Sequence, residues 1–389
     1  MTRKRQQYLL MLGIILVATN LRAPITSVGP VVNQISSELN LNGTLTGLVS
    51  TTPLVSFAVF SMLAPKIERR FGIERVLFVA LLFLTVGIII RSLGSTFSLF
   101  FGTVFIGIGI AHGNVLLPSM VKRYFPDKLG MMTGAYSVAM TTFGALASGI
   151  SLPVSKIGGM GWQGALAIWM ILSLVTACVW FPQLKTKTTV DLSISKEEST
   201  KLMHSSLAWA ISLFMGIQSL VFYTLAAWLP AILSDKGIKA ESAGLILTVL
   251  QLFIIPATFF VPVLTTKVKK QYLLVIVGVG SIIVGVFGII VSDSVIINYI
   301  AAALIGNGGG FCFSLSMMFF SLRTSSPHQA SELSGMAQAI GYLLAACGPL
   351  MFGMLHDLTN SWLSPLFILL ALSVILLGVG LKSSQNKQL

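Results

Sequence analysis

Residues 8–30 read Tyr8-Leu9-Leu10-Met11-Leu12-Gly13-Ile14-Ile15-Leu16-Val17-Ala18-Thr19-Asn20-Leu21-Arg22-Ala23-Pro24-Ile25-Thr26-Ser27-Val28-Gly29-Pro30. From Leu9 to Ala18 no side chain is charged, and then, still inside the apolar stretch, the chain places Arg22. A cation within a membrane span costs roughly 2.5–3.5 kcal/mol on insertion scales. A chain that keeps one there either pairs it internally or offers it to an anion from outside. The 12 acidic residues all fall in polar breaks or at the ends of apolar segments, among them Glu38, Asp127, Asp235, Asp293 and Asp357. None is placed to neutralise Arg22, and an Asp/Glu proton relay of the usual intramembrane kind is not expected.

The rest of the chain has the same solvent. Of 389 residues, 55% are hydrophobic and 10% charged, and mean hydropathy is +0.90. Soluble domains carry about 25% charged residues. Twelve apolar segments approach the roughly 20 residues a helix needs to cross a bilayer. They cover residues 8–29, 45–64, 76–93, 96–121, 130–153 and 162–182, then 206–233, 242–264, 272–292, 295–321, 331–354 and 362–381. Lipid leaves the backbone only helices or closed barrels, and these runs are continuous rather than alternating. The predicted class is an all-α integral membrane protein with twelve transmembrane helices in two six-helix bundles.

The net charge of +13 is a topology signal. With a cytoplasmic N-terminus, 20 of the 25 Lys and Arg fall in inside loops. Arg91, Lys156, Lys236 and Lys239 fall outside, and Arg22 lies in a span. Cytoplasmic loops carry such an excess, so both termini are expected in the cytoplasm and no nucleic-acid partner is expected. The basic start followed by an apolar run imitates a signal peptide, but no small-residue cleavage site follows, and a retained helix is expected. Cys178, Cys312 and Cys347 lie in apolar segments without metal-like spacing and read as packing residues.

The polar stretch 183–206 divides the chain into residues 1–182, a cytoplasmic linker and residues 207–389. An internal duplication would leave a fixed offset. Pro30 and Pro230 differ by 200, while Pro126 and Pro327, Gly134 and Gly335, and the pairs Gly107/Gly109 and Gly308/Gly310 differ by 201. At that spacing Arg22 maps to Phe222, His112 to Phe313 and Asn114 to Leu315. The first half supplies polar groups where the second supplies apolar or aromatic walls.

Arg22 lies about 21 Å into its helix at 1.5 Å per residue. Thr19 and Thr26 share its face, whereas Asn20 does not. Pro24 and Pro30 cannot donate to the carbonyls of Asn20 and Thr26, so the helix should kink and free oxygens near the guanidinium. Arginine's planar fork suits carboxylate-like or nitro-like oxygens. Arg22 either contacts substrate or binds carbonyls of neighbouring helices; the absence of an acid favours substrate. His112, in Gly107-Ile108-Gly109-Ile110-Ala111-His112-Gly113-Asn114, is a candidate substrate donor or carrier of a coupling proton; it also reads as a satisfied structural histidine. Asn114 sits roughly 200° around the helix from it. Candidate wall residues are Tyr136, Gln218, Phe222, Tyr223, Trp228, Phe313, Gln338 and Tyr342, with Trp228 doubling as an interfacial anchor.

Pro65-Lys66-Ile67-Glu68-Arg69-Arg70-Phe71-Gly72-Ile73-Glu74-Arg75 resembles the cytoplasmic gating motif of the major facilitator superfamily. Lys66, Glu68, Arg69, Arg70, Gly72, Glu74 and Arg75 would form that loop. Arg69 stands where the family usually has aspartate, leaving Glu68 or Glu74 as substitutes. The chain further resembles the cyanate/nitroimidazole-type branch through Asn20–Pro30, Pro118-Ser119-Met120-Val121-Lys122-Arg123-Tyr124-Phe125 and Ala227-Trp228-Leu229-Pro230. The branch reads Asn-x-Arg-Pro, and here Ala23 intervenes before Pro24.

The resemblance implies a bacterial cytoplasmic-membrane secondary transporter working by alternating access. It would carry a small anionic or nitro-heterocyclic solute and act as a monomer in the bilayer; the residues themselves display no nucleophile–base pair, metal cluster or phosphate-binding loop, so no cofactor, metal or catalytic residue is expected. Export of neutral amphipathic drugs on the same fold is the nearest alternative. A membrane enzyme would need a polar catalytic cluster near one interface, which the sequence does not display.

Overall fold

A computed structural model describes residues 3–185, 202–268 and 270–389. Most of the expected linker, residues 186–201, lies outside the described residues, as does Lys269. The described residues form helices joined by short turns, in the order α1 (Arg3–Thr19), α2 (Ala23–Thr26), α3 (Val32–Glu38), α4 (Gly43–Ser61), α5 (Ala64–Phe71), α6 (Ile73–Arg91), α7 (Thr96–Tyr124) and α8 (Leu129–Ser155). There follow α9 (Gly161–Ala167), α10 (Trp169–Trp180), α11 (Ser206–Asp235), α12 (Ala240–Lys267), α13 (Tyr272–Val291), α14 (Val295–Leu322), α15 (Pro327–Thr359) and α16 (Leu363–Ser383). Among the described residues, 11 helical segments are long and apolar enough to cross a bilayer. With α4, whose apolar part is the shorter Thr51–Ser61, they account for all twelve expected spans.

Two compact units emerge, Met1–Phe125 with Ala135–Ser195, and Pro126–Gly134 with Lys196–Leu389. In the first, the core at one end gathers Val28, Val31, Ile35, Val49, Leu99, Trp162 and Leu166. Glu38 ends α3 there and accepts from Trp162 Nε1 at 3.0 Å and Gln163 Nε2 at 2.6 Å. At the other end Glu74 accepts from the Tyr124 hydroxyl, and its carbonyl accepts from Trp180 Nε1 at 2.9 Å. The Glu38 side chain thus ties α3 to α9, and that of Glu74 ties α6 to the end of α7.

In the second unit Arg323 has the same task. Only 2% exposed, it donates to the carbonyls of Ser383 and Ser384 at 3.1 and 3.0 Å and to Gln271. Burial pushes its guanidinium down to about 10, so it stays charged at neutral pH. Lys236, counted in the sequence as a loop charge, caps α13: its Nζ donates to the carbonyls of Ile289 and Ser292 and pairs with Asp293 at 3.1 Å.

Internal packing corrects the repeat offset in the glycine-rich helices. A Cβ on Gly109 would lie 2.6 Å from the Ala80 carbonyl and 2.9 Å from Leu84. A Cβ on Gly308 would lie 2.3 Å from the Gly278 carbonyl and 2.7 Å from Ile282. Gly107 faces Ser56 of α4, and Gly306 faces Leu250 of α12. The equivalents are therefore Gly107 with Gly306 and Gly109 with Gly308, 199 positions apart rather than 201. His112 then corresponds to Phe311 and Asn114 to Phe313. Glycines recur every second residue here, so a shift of two still matches them.

Candidate functional site

The first span breaks where its prolines predict, and runs further than expected, to Glu38. After Thr19 the chain turns through residues 20–22, bonding Asn20 N to Val17 O and Leu21 N to Ala18 O at 3.1 Å each. Pro24 fits early in α2 because its missing N–H would be unsatisfied there anyway. Past it, Val28 N bonds to Ile25 O at 3.3 Å instead of to Pro24 O. The Pro24 carbonyl is released by this tightening.

Arg22 is half-buried at the break. Its stem passes over Gly144 of α8, where a Cβ would lie 3.1 Å from Arg22 Cβ and 3.5 Å from Cδ. Thr26 shares the place: its hydroxyl lies 2.7 Å from the Gly144 carbonyl and 3.2 Å from that of Arg22. Arg22 and Thr26 are thus brought together against α8. Thr19 is turned inward, donating to the Leu16 carbonyl at 2.7 Å. Asn20 donates to Thr176 of α10 at 2.8 Å, which makes it an interhelical tie away from Arg22.

Arg91 escaped the sequence reading altogether. Counted as an outside loop charge, it is 1% exposed and donates through Nη1 to the released Pro24 carbonyl at 2.6 Å. Its Nε and Nη2 have no partner among the described residues. Nothing in the local sequence signals this, since an arginine before Ser92-Leu93-Gly94 looks like the end of a helix.

The other candidates separate by face. Gly113 meets Leu21 of the first span, whereas His112, one residue earlier, lines an apolar groove with residues of α4, α5 and α6. His112 Nδ1 is 2.8 Å from the Ile108 carbonyl. Asn114 and Tyr136 are buried. In the gating-motif stretch, Glu68 and Glu74 are buried while Lys66, Arg70 and Arg75 are exposed. Gly72 joins α5 to α6 at φ +84°, a conformation that favours glycine.

In the second unit Gln218 donates to Ser219 Oγ at 2.8 Å, and Phe222 and Tyr223 meet edge to face at 5.3 Å. Gln338 is fully buried and donates to Ser334 at 2.9 Å, with Oε1 unpartnered among the described residues. Phe313 and Tyr342 are buried. Trp228 donates to the Pro349 carbonyl at 2.8 Å and its ring lies 5.3 Å from Trp362. His356 stacks on Trp362 at 4.0 Å, so Trp228 belongs to an aromatic cluster at one end of its helix.

A model of the Major Facilitator Superfamily matches residues 10–349. The 2-nitroimidazole transporter of Escherichia coli (strain K12) is 41% identical over 391 residues, covering 99% of this chain and 98% of that protein. The cyanate transport protein CynX of the same organism is 24% identical, with 91% of each chain covered. Among solved structures, the proton:xylose symporter XylE bound to 6-bromo-6-deoxy-D-glucose superposes with a TM-score of 0.78 at 14% identity, covering 95% and 94% of the two chains.

Proposed function

The chain belongs to the Major Facilitator Superfamily, in the branch of the nitroimidazole and cyanate transporters, and from that premise we propose that it moves a small anionic or electron-rich solute across the membrane with Arg22 as the binding cation. It is a multi-pass transporter of a small molecule. Alternating access between its two helical units is the proposed means, in a bacterial cytoplasmic membrane, as a monomer with both termini inside.

The observation that carries the reading is the placement of Arg22. The first span breaks near its two prolines and α8 offers glycine there, so the stem of Arg22 is packed against α8 at a bend. A planar fork there suits the two oxygens of a nitro group or the ends of a linear anion. Relatives named for 2-nitroimidazole and cyanate support that chemistry. The aromatic and amide groups of the second unit, from Gln218 and Phe222 to Gln338 and Tyr342, are the proposed walls.

Proton coupling through His112 has less support, because its ring borders the apolar groove formed with α4, α5 and α6. If it carries the proton, His112→Gln abolishes accumulation and spares exchange.

The deciding experiment is a thermal-shift titration of purified protein with 2-nitroimidazole and with cyanate, in parallel on Arg22→Ala. A ligand that binds the folded state raises Tm by mass action. A shift in wild type that is lost in Arg22→Ala is the expected result. Equal shifts in both would make Arg22 structural and favour export of neutral amphipathic compounds.

A further inference from the structure

Within the first unit, α4, α5, α6 and α7 leave a groove of about 560 Å³. Its walls are almost wholly apolar and include Phe60, Val79, Phe83 and Ile108, with the buried His112 also among the lining residues. It opens between Leu63, Phe71 and Val79, which are 39%, 50% and 48% exposed. Exposed apolar side chains grouped at a groove mark a contact surface, and in a multi-pass protein lipid is available to cover one. Arg75 stands at the rim, exposed and without a hydrogen bond or ion pair to a described residue. The Arg70 guanidinium lies over the ring of Phe71, itself a lining residue, 5.3 Å from the centroid.

The second unit treats the same place differently. With the corrected register His112 corresponds to Phe311, and Gly278 takes against Gly308 the place that Ala80 takes against Gly109. There the Phe311 side chain is packed onto Gly278, 2.6 Å from where a Cβ would be. The fold can therefore close this space with its own aromatic ring, and in the first unit it does not.

We propose that the groove is a binding site for one acyl chain of an anionic phospholipid, whose phosphate sits on Arg75 with Arg70 alongside. Charge and shape argue for this occupant together. The apolar walls offer nothing to a small hydrophilic anion, and the rim cations offer little to an uncharged chain. From Arg75 to Phe83 is eight residues of α6, about 12 Å along the helix axis, so the site runs from the basic end of the bundle toward the bilayer interior. A lipid seated there would touch α5 and the start of α6, which carry the gating-motif residues.

The test uses delipidated full-length protein and native mass spectrometry, titrated with phosphatidylglycerol or with phosphatidylcholine of identical acyl chains. Two variants accompany wild type: Arg75→Gln, which alters only an exposed side chain, and His112→Phe, which supplies the ring that the second unit uses. Wild type is expected to retain one phosphatidylglycerol in preference to phosphatidylcholine, by about fivefold for each basic group at the headgroup. Arg75→Gln should reduce that preference by about fivefold, and His112→Phe should lose the tightly held lipid of either kind. Added inorganic phosphate should not displace it, which separates a lipid from a free anion. Equal retention of both lipids by wild type, or retention of phosphatidylglycerol unaltered in both variants, would overturn the proposal. The Tm of each lipid-free variant controls for folding, and none of these outcomes depends on which solute Arg22 binds.

Discussion

An arginine side chain carries five N–H donors, and Arg91 places one of them on the Pro24 carbonyl while Nε and Nη2 have no partner among the described residues. A buried ion left this incompletely satisfied is costly, and replacing buried ions with apolar groups is often neutral or stabilising by about 1–4 kcal/mol. Arg91→Met is therefore expected to keep or raise Tm while weakening substrate binding, since the bend carrying Arg22 loses its anchor. A fall in Tm with unchanged affinity would mean that Arg91 serves folding alone. Gly144→Ala tests the other side of the bend. Its methyl would lie 3.1 Å from Arg22 Cβ, so binding should weaken severalfold with little change in Tm. Arg22 was legible in the sequence because a cation inside an apolar run has few innocent explanations. Arg91 was not, because its burial depends on the carbonyl of Pro24, 67 residues away on another helix, left open where Val28 N bonds to Ile25 O.

At the scale of helices, the glycines of α14 make a paired prediction. A Cβ on Gly306 would lie 2.0 Å from the Leu250 carbonyl, whereas one on Gly309 meets nothing within 4 Å. Gly306→Ala should cost about 1–3 kcal/mol through overpacking. Gly309→Ala should gain up to about 1 kcal/mol from helix propensity. Denaturation midpoints of the two variants decide it, and equal effects would contradict the close crossing of α12 and α14. Span positions were readable because lipid demands long apolar helices, and most observed ends fall within a few residues of the expected ones. The fragmentation of the first span was readable only as a kink. The sequence shows where prolines remove donors, but which carbonyls are then taken up is decided by Ser27, Arg91 and the turns themselves.

For the molecule as a whole, the proposed orientation is open to direct measurement. A cysteine in place of Lys66 should react with an impermeant maleimide only in opened cells, and one in place of Lys156 in intact cells, once Cys178 and Cys347 are removed. The reverse pattern would invert the topology. Duplication was legible in outline from scattered Gly and Pro, yet its register came from packing, because repeated glycines fit two alignments equally well. The asymmetry that matters lies in what each unit keeps at equivalent places: Arg22 and His112 in one, and Phe311, with its ring packed on Gly278, in the other.

The indole pair in the second unit has a use of its own. Trp228 and Trp362, with ring centroids 5.3 Å apart, are close enough for their excited states to couple, so the folded protein carries an unlabelled optical signal from one end of α11. Subtracting the near-ultraviolet circular dichroism of Trp362→Phe from that of the parent isolates this signal. If solute binding shifts α11 against the start of α16, the spectrum changes in real time, without any added dye.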